Sequence, residues 1–194
     1  DAYDIQFLFP MGWQELEGVH SRTDYDLTQH QTFSGKEMTY LDPESNERYI
    51  PYVVETSAGL TRNVLMALSD AYDEEELEGD VRTVLHFHPH LAPVTVAVLP
   101  LVKKDGIAEF ASKLERGLRD DFSTFYDVSG AIGRRYRRMD EIGTPYCVTV
   151  DYQTLEDQTV TLRLRDSMEQ VRVAITDLVA AIKQATKEYK RVER

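Results

Sequence analysis

Val53-Val54-Glu55-Thr56-Ser57-Ala58-Gly59-Leu60-Thr61-Arg62 is the stretch on which the reading of this chain turns. An apolar run leads up to a carboxylate, passes through small residues and delivers an arginine onto the next element. Apolar residues at Leu60, Val64, Leu65, Leu68 and Tyr72 keep helical spacing, so Arg62 is expected in the first turn of a helix. A carboxylate there pairs with an ammonium, and a guanidinium at a helix N-terminus favours an anion such as phosphate. Taken alone, the ten residues fit a strand–helix junction with a solvated ion pair equally well.

Outward from this stretch, residues 5–9 and 49–55, with a third run at 13–20, predict antiparallel strands of one sheet. Thr23 or Asp24 is placed to cap a helix running to about His30. The run Asp73 to Asp80 reads as a solvated acidic loop. Beyond it, strands fit 94–99, 123–128, 146–151 and 158–164, and helices fit 105–119, 133–142 and 168–189. Gly143 with Pro145 forms a helix stop. This alternation predicts an α/β fold with helices flanking a mixed sheet. The expected boundary lies near Leu91, giving domains 1–90 and 91–194. No repeat or low-complexity segment interrupts them.

The net charge of −12 is uneven: residues 1–90 carry 5 Lys/Arg against 18 Asp/Glu, and residues 91–194 carry 17 against 16. A polyanion would be repelled by the first part and tolerated by the second, so any RNA contact needs a local basic patch. The single cysteine, Cys147, sits in an apolar run, which excludes an internal disulfide and fits a reducing, cytoplasmic setting. Strand burial would raise its thiol pKa and argues against a nucleophile. No run approaches the ~20 apolar residues of a membrane span. Asp1 is not an initiator methionine and residues 5–9 already read as strand, so the chain is expected to begin inside something larger.

Two further groups carry possible chemistry. Arg134, Arg135, Arg137 and Arg138 flank Tyr136, with Arg163, Arg165 and Arg172 further on. Such a cluster can grip phosphates while the tyrosine stacks a base, or it can form a solvated helix face paired with Asp140 and Glu141. His86-Phe87-His88-Pro89-His90 places two imidazoles on one face of a strand, a spacing that zinc uses. No second His, Cys or Asp cluster is evident to complete a shell, so a linker strand without metal is expected.

Several of these segments together resemble glycyl-tRNA synthetases, the dimeric class II type. Glu55 to Arg62 is similar to their third signature motif, Glu-x-Ser-x-Gly-x-x-Arg. Gly12-Trp13-Gln14-Glu15-Leu16-Glu17-Gly18, then Arg22-Thr23-Asp24-Tyr25-Asp26-Leu27 and His30, are similar to the stretch before it. Leu91-Ala92-Pro93, Ser129 to Tyr136, Asp140 to Pro145 and Arg165 to Gln170 are similar, in order, to the anticodon-binding domain of the glycyl, prolyl, threonyl and histidyl enzymes.

The resemblance implies that residues 1–90 end a catalytic domain and that 91–194 form an anticodon-binding domain with a five-stranded mixed sheet. It implies a glycine site at Glu55, Thr56, Ser57, Ala58 and Gly59, with Glu55 on the ammonium. It implies an ATP site at Glu15, Leu16, Gly59, Leu60, Thr61 and Arg62, with Arg62 on the γ-phosphate and Glu15 acting through magnesium. The tRNA contacts would come from Arg134, Arg135, Tyr136, Arg137, Arg163 and Arg165. Expected partners are glycine, ATP with Mg2+, tRNA(Gly) and a second protomer, with no membrane and no DNA. The pattern departs at Thr61, where many relatives carry an acid. The second class II motif and the first, dimer-forming one have no counterpart here, so this stretch alone is expected to be inactive. The main rival is a non-catalytic paralogue resembling a polymerase accessory subunit, against which intact Glu55, Ser57 and Arg62 argue. A zinc hydrolase built on His86 and His88 is the third reading.

Overall fold

A computed structural model of the protein describes residues 1–190. The chain divides into two compact units, residues 1–69 and residues 70 onward. That division lies before the expected boundary at Leu91, because the acidic segment after residue 70 folds with the C-terminal residues.

The first unit is built on β1 (Ala2–Phe9), β2 (Gly12–Thr23), α1 (Tyr25–Ser34), β3 (Tyr40–Leu41), β4 (Arg48–Tyr49), β5 (Val53–Ala58) and most of α2 (Leu60–Ala71). Its main sheet has the order β1-β2-β5, antiparallel throughout. The β1–β2 turn passes through Gly12 at φ +105°, a conformation that glycine adopts without a Cβ penalty. Across β2 and β5 the register runs Ser21 to Val54 and then Thr23 to Val53, so Arg22 is the extra residue of a β-bulge. The predicted strand 49–55 is in fact two: Arg48–Tyr49 pairs with β3, and Val53–Ala58 pairs with β2. Pro51 lies between them, lacks an N–H and holds Ile50 extended, which breaks the ladder. Helix α1 starts where Asp24 predicts, yet Asp24 makes no capping side-chain hydrogen bond.

The second unit opens with β6 (Tyr72–Leu77) and β7 (Asp80–Leu85), an antiparallel hairpin turned at Gly79. This corrects the expected acidic loop. Burial alternates along β6, with Asp73, Glu75 and Leu77 on the less exposed face. The strand period is therefore present but written in carboxylates instead of apolar side chains.

The remaining elements are β8 (Val96–Pro100), α3 (Ile107–Leu118), β9 (Thr124–Tyr126), α4 (Ile132–Glu141), β10 (Tyr146–Val150), α5 (Tyr152–Asp157), β11 (Thr159–Leu164), β12 (Gln170–Ala174) and α6 (Leu178–Lys187). Five strands form one mixed sheet in the order β12-β11-β10-β8-β9. β9, β8 and β10 run parallel, while β10, β11 and β12 pair antiparallel. The expected helix 168–189 is corrected: Gln170-Val171-Arg172-Val173-Ala174 alternates as an edge strand, and the helix begins only at Leu178.

Period-2 alternation sorts the sheet residues onto two faces. Val96, Val98, Tyr146, Val148, Val150, Val160 and Leu162 pack against Ile107, Ala111 and Leu118 of α3 and Leu178 and Ile182 of α6. Ala97, Leu99 and Cys147 point the other way, onto Met139, Ile132 and Tyr136 of α4. The same alternation places Arg163 of β11 on the α4 side. Cys147 is 1% exposed, and burial pushes its thiol up to about 12, as expected of a packing residue.

Candidate functional site

The Val53–Arg62 stretch forms the strand, turn and helix entry that its sequence predicts, with β5 ending at Ala58 and α2 starting at Leu60. Arg62 lies in the first turn, and its Nη1 donates to the Glu15 carbonyl at 2.6 Å. The fold thus brings the two expected ATP-site segments together. Glu15 and Leu16 lie on β2, whose neighbouring residues Glu17 and Gly18 pair with Ala58 and Ser57. Thr56, Ser57, Ala58, Gly59, Leu60 and Thr61 are exposed, and Glu55 is half-buried. A Cβ at Gly59 would meet only the Arg62 Cβ, at 3.7 Å, so close packing does not demand glycine there.

Sequence reasoning missed Arg22 as part of this site. The bulge turns its side chain toward Glu55, placing Nε 3.5 Å from Oε2, while Asp26 grips the same guanidinium at 2.9 and 3.0 Å. Hydrogen bonding to Arg22 holds the Asp26 carboxyl below its usual range. Arg22 is thus shared between two carboxylates, Asp26 in a two-point bond and Glu55 at longer range. The i, i+4 spacing of Arg22 and Asp26 was the available signal. What the sequence hides is the bulge.

The basic constellation resolves into two sets. Arg134 is exposed at the start of α4, and Arg137 is half-exposed, with Nη2 3.2 Å from Asp80. Arg138 is committed to Asp127 and the Ser129 carbonyl. Arg135, Arg163 and Arg165 are at most 5% exposed. Arg135 donates to the carbonyls of Pro100 and Asp127 at 2.6 and 3.1 Å. Arg163 makes a two-point bond to Asp140 at 2.8 and 3.0 Å and lies 4.9 Å over the Tyr136 ring. Arg165 bonds Asp166 and the carbonyls of Gly143 and Phe87. Tyr136 spends its hydroxyl on Thr149 at 2.6 Å. These four side chains organise the interior of the second unit, and the surface of α4 offers Arg134 and Arg137.

Asp140 is fully buried between Arg163 and Arg82, whose Nε donates to it at 2.9 Å. Arg82 also donates to Glu75 and to the Arg165 carbonyl. This ties the β6–β7 hairpin to α4 and β11. His86 and His88 do not share a strand face as expected, because β7 ends at Leu85. His86 is buried against Asp166, whereas His88 stacks on His90 with ring centroids 5.3 Å apart.

Residues 95–185 match the family described as "Anticodon binding domain". The second unit therefore carries an anticodon-binding domain. Over 98% of its length the chain is 63% identical to the glycine–tRNA ligase of Treponema denticola and covers 44% of that protein. It is 58% identical to that of Borrelia hermsii, again over 98% of this chain and 44% of the relative. Against the enzyme of Clostridium kluyveri it is 60% identical over 93% of its length, covering 39% of the relative. The chain thus spans under half the length of the curated relatives it matches. The resemblance to glycyl-tRNA synthetases, and the mixed α/β fold expected from it, both hold. Among the described residues, no helix is long and apolar enough to cross a membrane.

Proposed function

We propose that this chain is the part of a glycine–tRNA ligase that ends the aminoacylation site and carries the anticodon-binding domain. In the whole protein, ATP and glycine would react to glycyl-adenylate, and the glycyl group would pass to the 3′ end of tRNA(Gly). The observation that carries this reading is the 2.6 Å bond from Arg62 to the Glu15 carbonyl, which ties the start of α2 to β2 next to the strand that bears Glu55. Arg62 and the α2 N-terminus suit a triphosphate. Glu55, with Ser57 and Ala58 beside it, suits an ammonium next to a Cα that bears no side chain. Crowding is the better device for choosing glycine, since rewarding one methylene gains only ~1–3 kcal/mol.

On this reading Glu55, Thr56, Ser57, Ala58 and Gly59 line the glycine site. Glu15, Leu16, Gly59, Leu60, Thr61 and Arg62 line the ATP site, with Mg2+ near Glu15. Arg134 and Arg137 are the exposed candidates for tRNA contact, and the buried arginines hold the surface that presents them. A cytoplasmic homodimer is the proposed state of the whole protein. The 194 residues contain no counterpart of the second class II motif, so adenylate formation is assigned to the whole protein and not to this stretch.

Titration with tRNA(Gly), beside the same tRNA carrying a swapped anticodon, at fixed moderate salt, tests the RNA half. Preference for the cognate anticodon is expected, and equal binding of both would refute anticodon recognition. Glu55→Ala in the whole protein is expected to abolish glycine activation and leave tRNA binding largely intact. Loss of both together would indicate misfolding and undo the assignment.

A further inference from the structure

Two basic residues of β2 lie near Glu55 and are turned differently. His20 stands directly opposite Glu55 in the register. Its ring folds back over Gly18, where an added Cβ would lie 2.6 Å from the His20 Cε1, and its Nε2 lies 3.9 Å from Asp4 of β1. Arg22 is turned toward Glu55, with Nε 3.5 Å from Oε2, and among the described residues it is the ion-pair partner of that carboxylate.

Three features hold Arg22 there. It is the extra residue of the bulge between Ser21 and Thr23, and a bulge re-aims a side chain. Asp26, in the first turn of α1, takes Nε and Nη2 in a two-point bond at 2.9 and 3.0 Å, which fixes the plane of the guanidinium. Thr23 holds φ +54°, and its hydroxyl donates to the Arg22 carbonyl at 2.7 Å. A β-branched residue is disfavoured in that left-handed region and stays there only where its surroundings impose it.

The distance to Glu55 has its own meaning. Nε carries one proton, and that proton goes to Asp26. The contact with Glu55 is therefore charge to charge and not a hydrogen bond. Arg22 can hold the Glu55 carboxylate in place without spending its lone pairs. A ligand ammonium brings three donors and suits a carboxylate held in this way.

We propose that Arg22 is a positioning residue for the amino-acid substrate. Clamped by Asp26, it fixes Glu55 by charge and leaves the Glu55 oxygens to accept from the substrate ammonium. This rests on the glycine-site reading of Glu55 and adds the pair of residues that sets it.

The test is made on the whole protein, with glycine-dependent ATP–pyrophosphate exchange as the readout. Arg22→Ala should raise the KM for glycine about ten-fold and leave the KM for ATP and the affinity for tRNA(Gly) unchanged. Arg22→Lys, which keeps the charge but loses the two-point bond to Asp26, should recover part of that loss. Asp26→Asn should raise the glycine KM by less than Arg22→Ala does. The deciding measurement is the cycle with Glu55→Gln: once Glu55 is neutral, removing Arg22 should raise the glycine KM no further. Equal effects of Arg22→Ala in both backgrounds, or a glycine KM that does not move, would overturn the proposal. If Arg22→Ala does not fold, Arg22→Lys enters the same cycle in its place. An unchanged glycine KM in Glu55→Gln would remove the glycine-site reading itself, whereas a normal Glu55 effect without coupling removes only the role of Arg22.

Discussion

The two units spend their apolar residues in opposite ways. In the first, Tyr3, Ile5, Leu8, Trp13, Val54, Leu60 and Val64 are all exposed, and Phe9 is the fully buried large hydrophobe among the described residues. In the second, Val96, Val98, Leu99, Ile107, Val148, Val150, Leu178 and Ile182 are each at zero exposure. The sheet of the first unit holds its register through backbone hydrogen bonds, and within these 194 residues most of its apolar side chains are uncovered. The second unit has a two-sided core and, beside it, a buried ionic network. The proposed small-molecule site and the proposed RNA surface therefore lie on parts of the chain with different packing.

Cutting the chain gives the largest expected effect. Residues 70–194 alone should unfold in one cooperative urea transition, and residues 1–69 alone should show none. Cooperative unfolding of 1–69 would break the comparison outright. Next comes Asp140→Ala, which leaves Arg82 and Arg163 buried without their shared counter-ion. It should cost ~3–5 kcal/mol in urea denaturation of the whole chain.

Leucine truncations sharpen the contrast. Leu178→Ala in the second core should cost ~2–5 kcal/mol, whereas Leu8→Ala, at 57% exposure, should stay within ~0.5 kcal/mol. A smaller effect concerns acid. Burial pushes the Asp166 carboxyl up, but hydrogen bonds from His86 and Arg165 outweigh it and hold the group well below the usual carboxylate range. Because the folded pKa is depressed, the contribution is complete above the unfolded value of ~3.9 and is lost as pH falls below it. Asp166→Asn should flatten that part of the stability–pH curve, measured by urea midpoints. Smallest of all, Arg134→Ala should leave stability unchanged and lower the salt slope of tRNA binding by about 1.

Apolar periodicity and turn chemistry made most of the second sheet legible, since Val96 to Leu99 and Tyr146 to Val150 announce buried strands. It failed where charge took over the work of hydrophobes. Asp73 and Glu75 read as loop because their inward face meets Arg82 and His86, partners that composition cannot supply. Arg135, Arg163 and Arg165 read as surface for the same reason: backbone carbonyls enclose Arg135, Asp140 encloses Arg163 and Asp166 encloses Arg165 only after the chain has folded. In the first unit the Glu55–Arg62 pattern announced its strand–turn–helix junction, but Arg22 came beside Glu55 through a bulge, a register event with no residue signature of its own.

Arg82, Asp140 and Arg163 come from a hairpin, a helix and a sheet strand, yet they share one buried carboxylate between two guanidiniums. Replacing Asp140 takes the shared counter-ion from both guanidiniums, and replacing either arginine leaves Asp140 with one of its two partners. Natural variation at these three positions is therefore expected to be concerted, with lineages changing the trio as a set or leaving it alone.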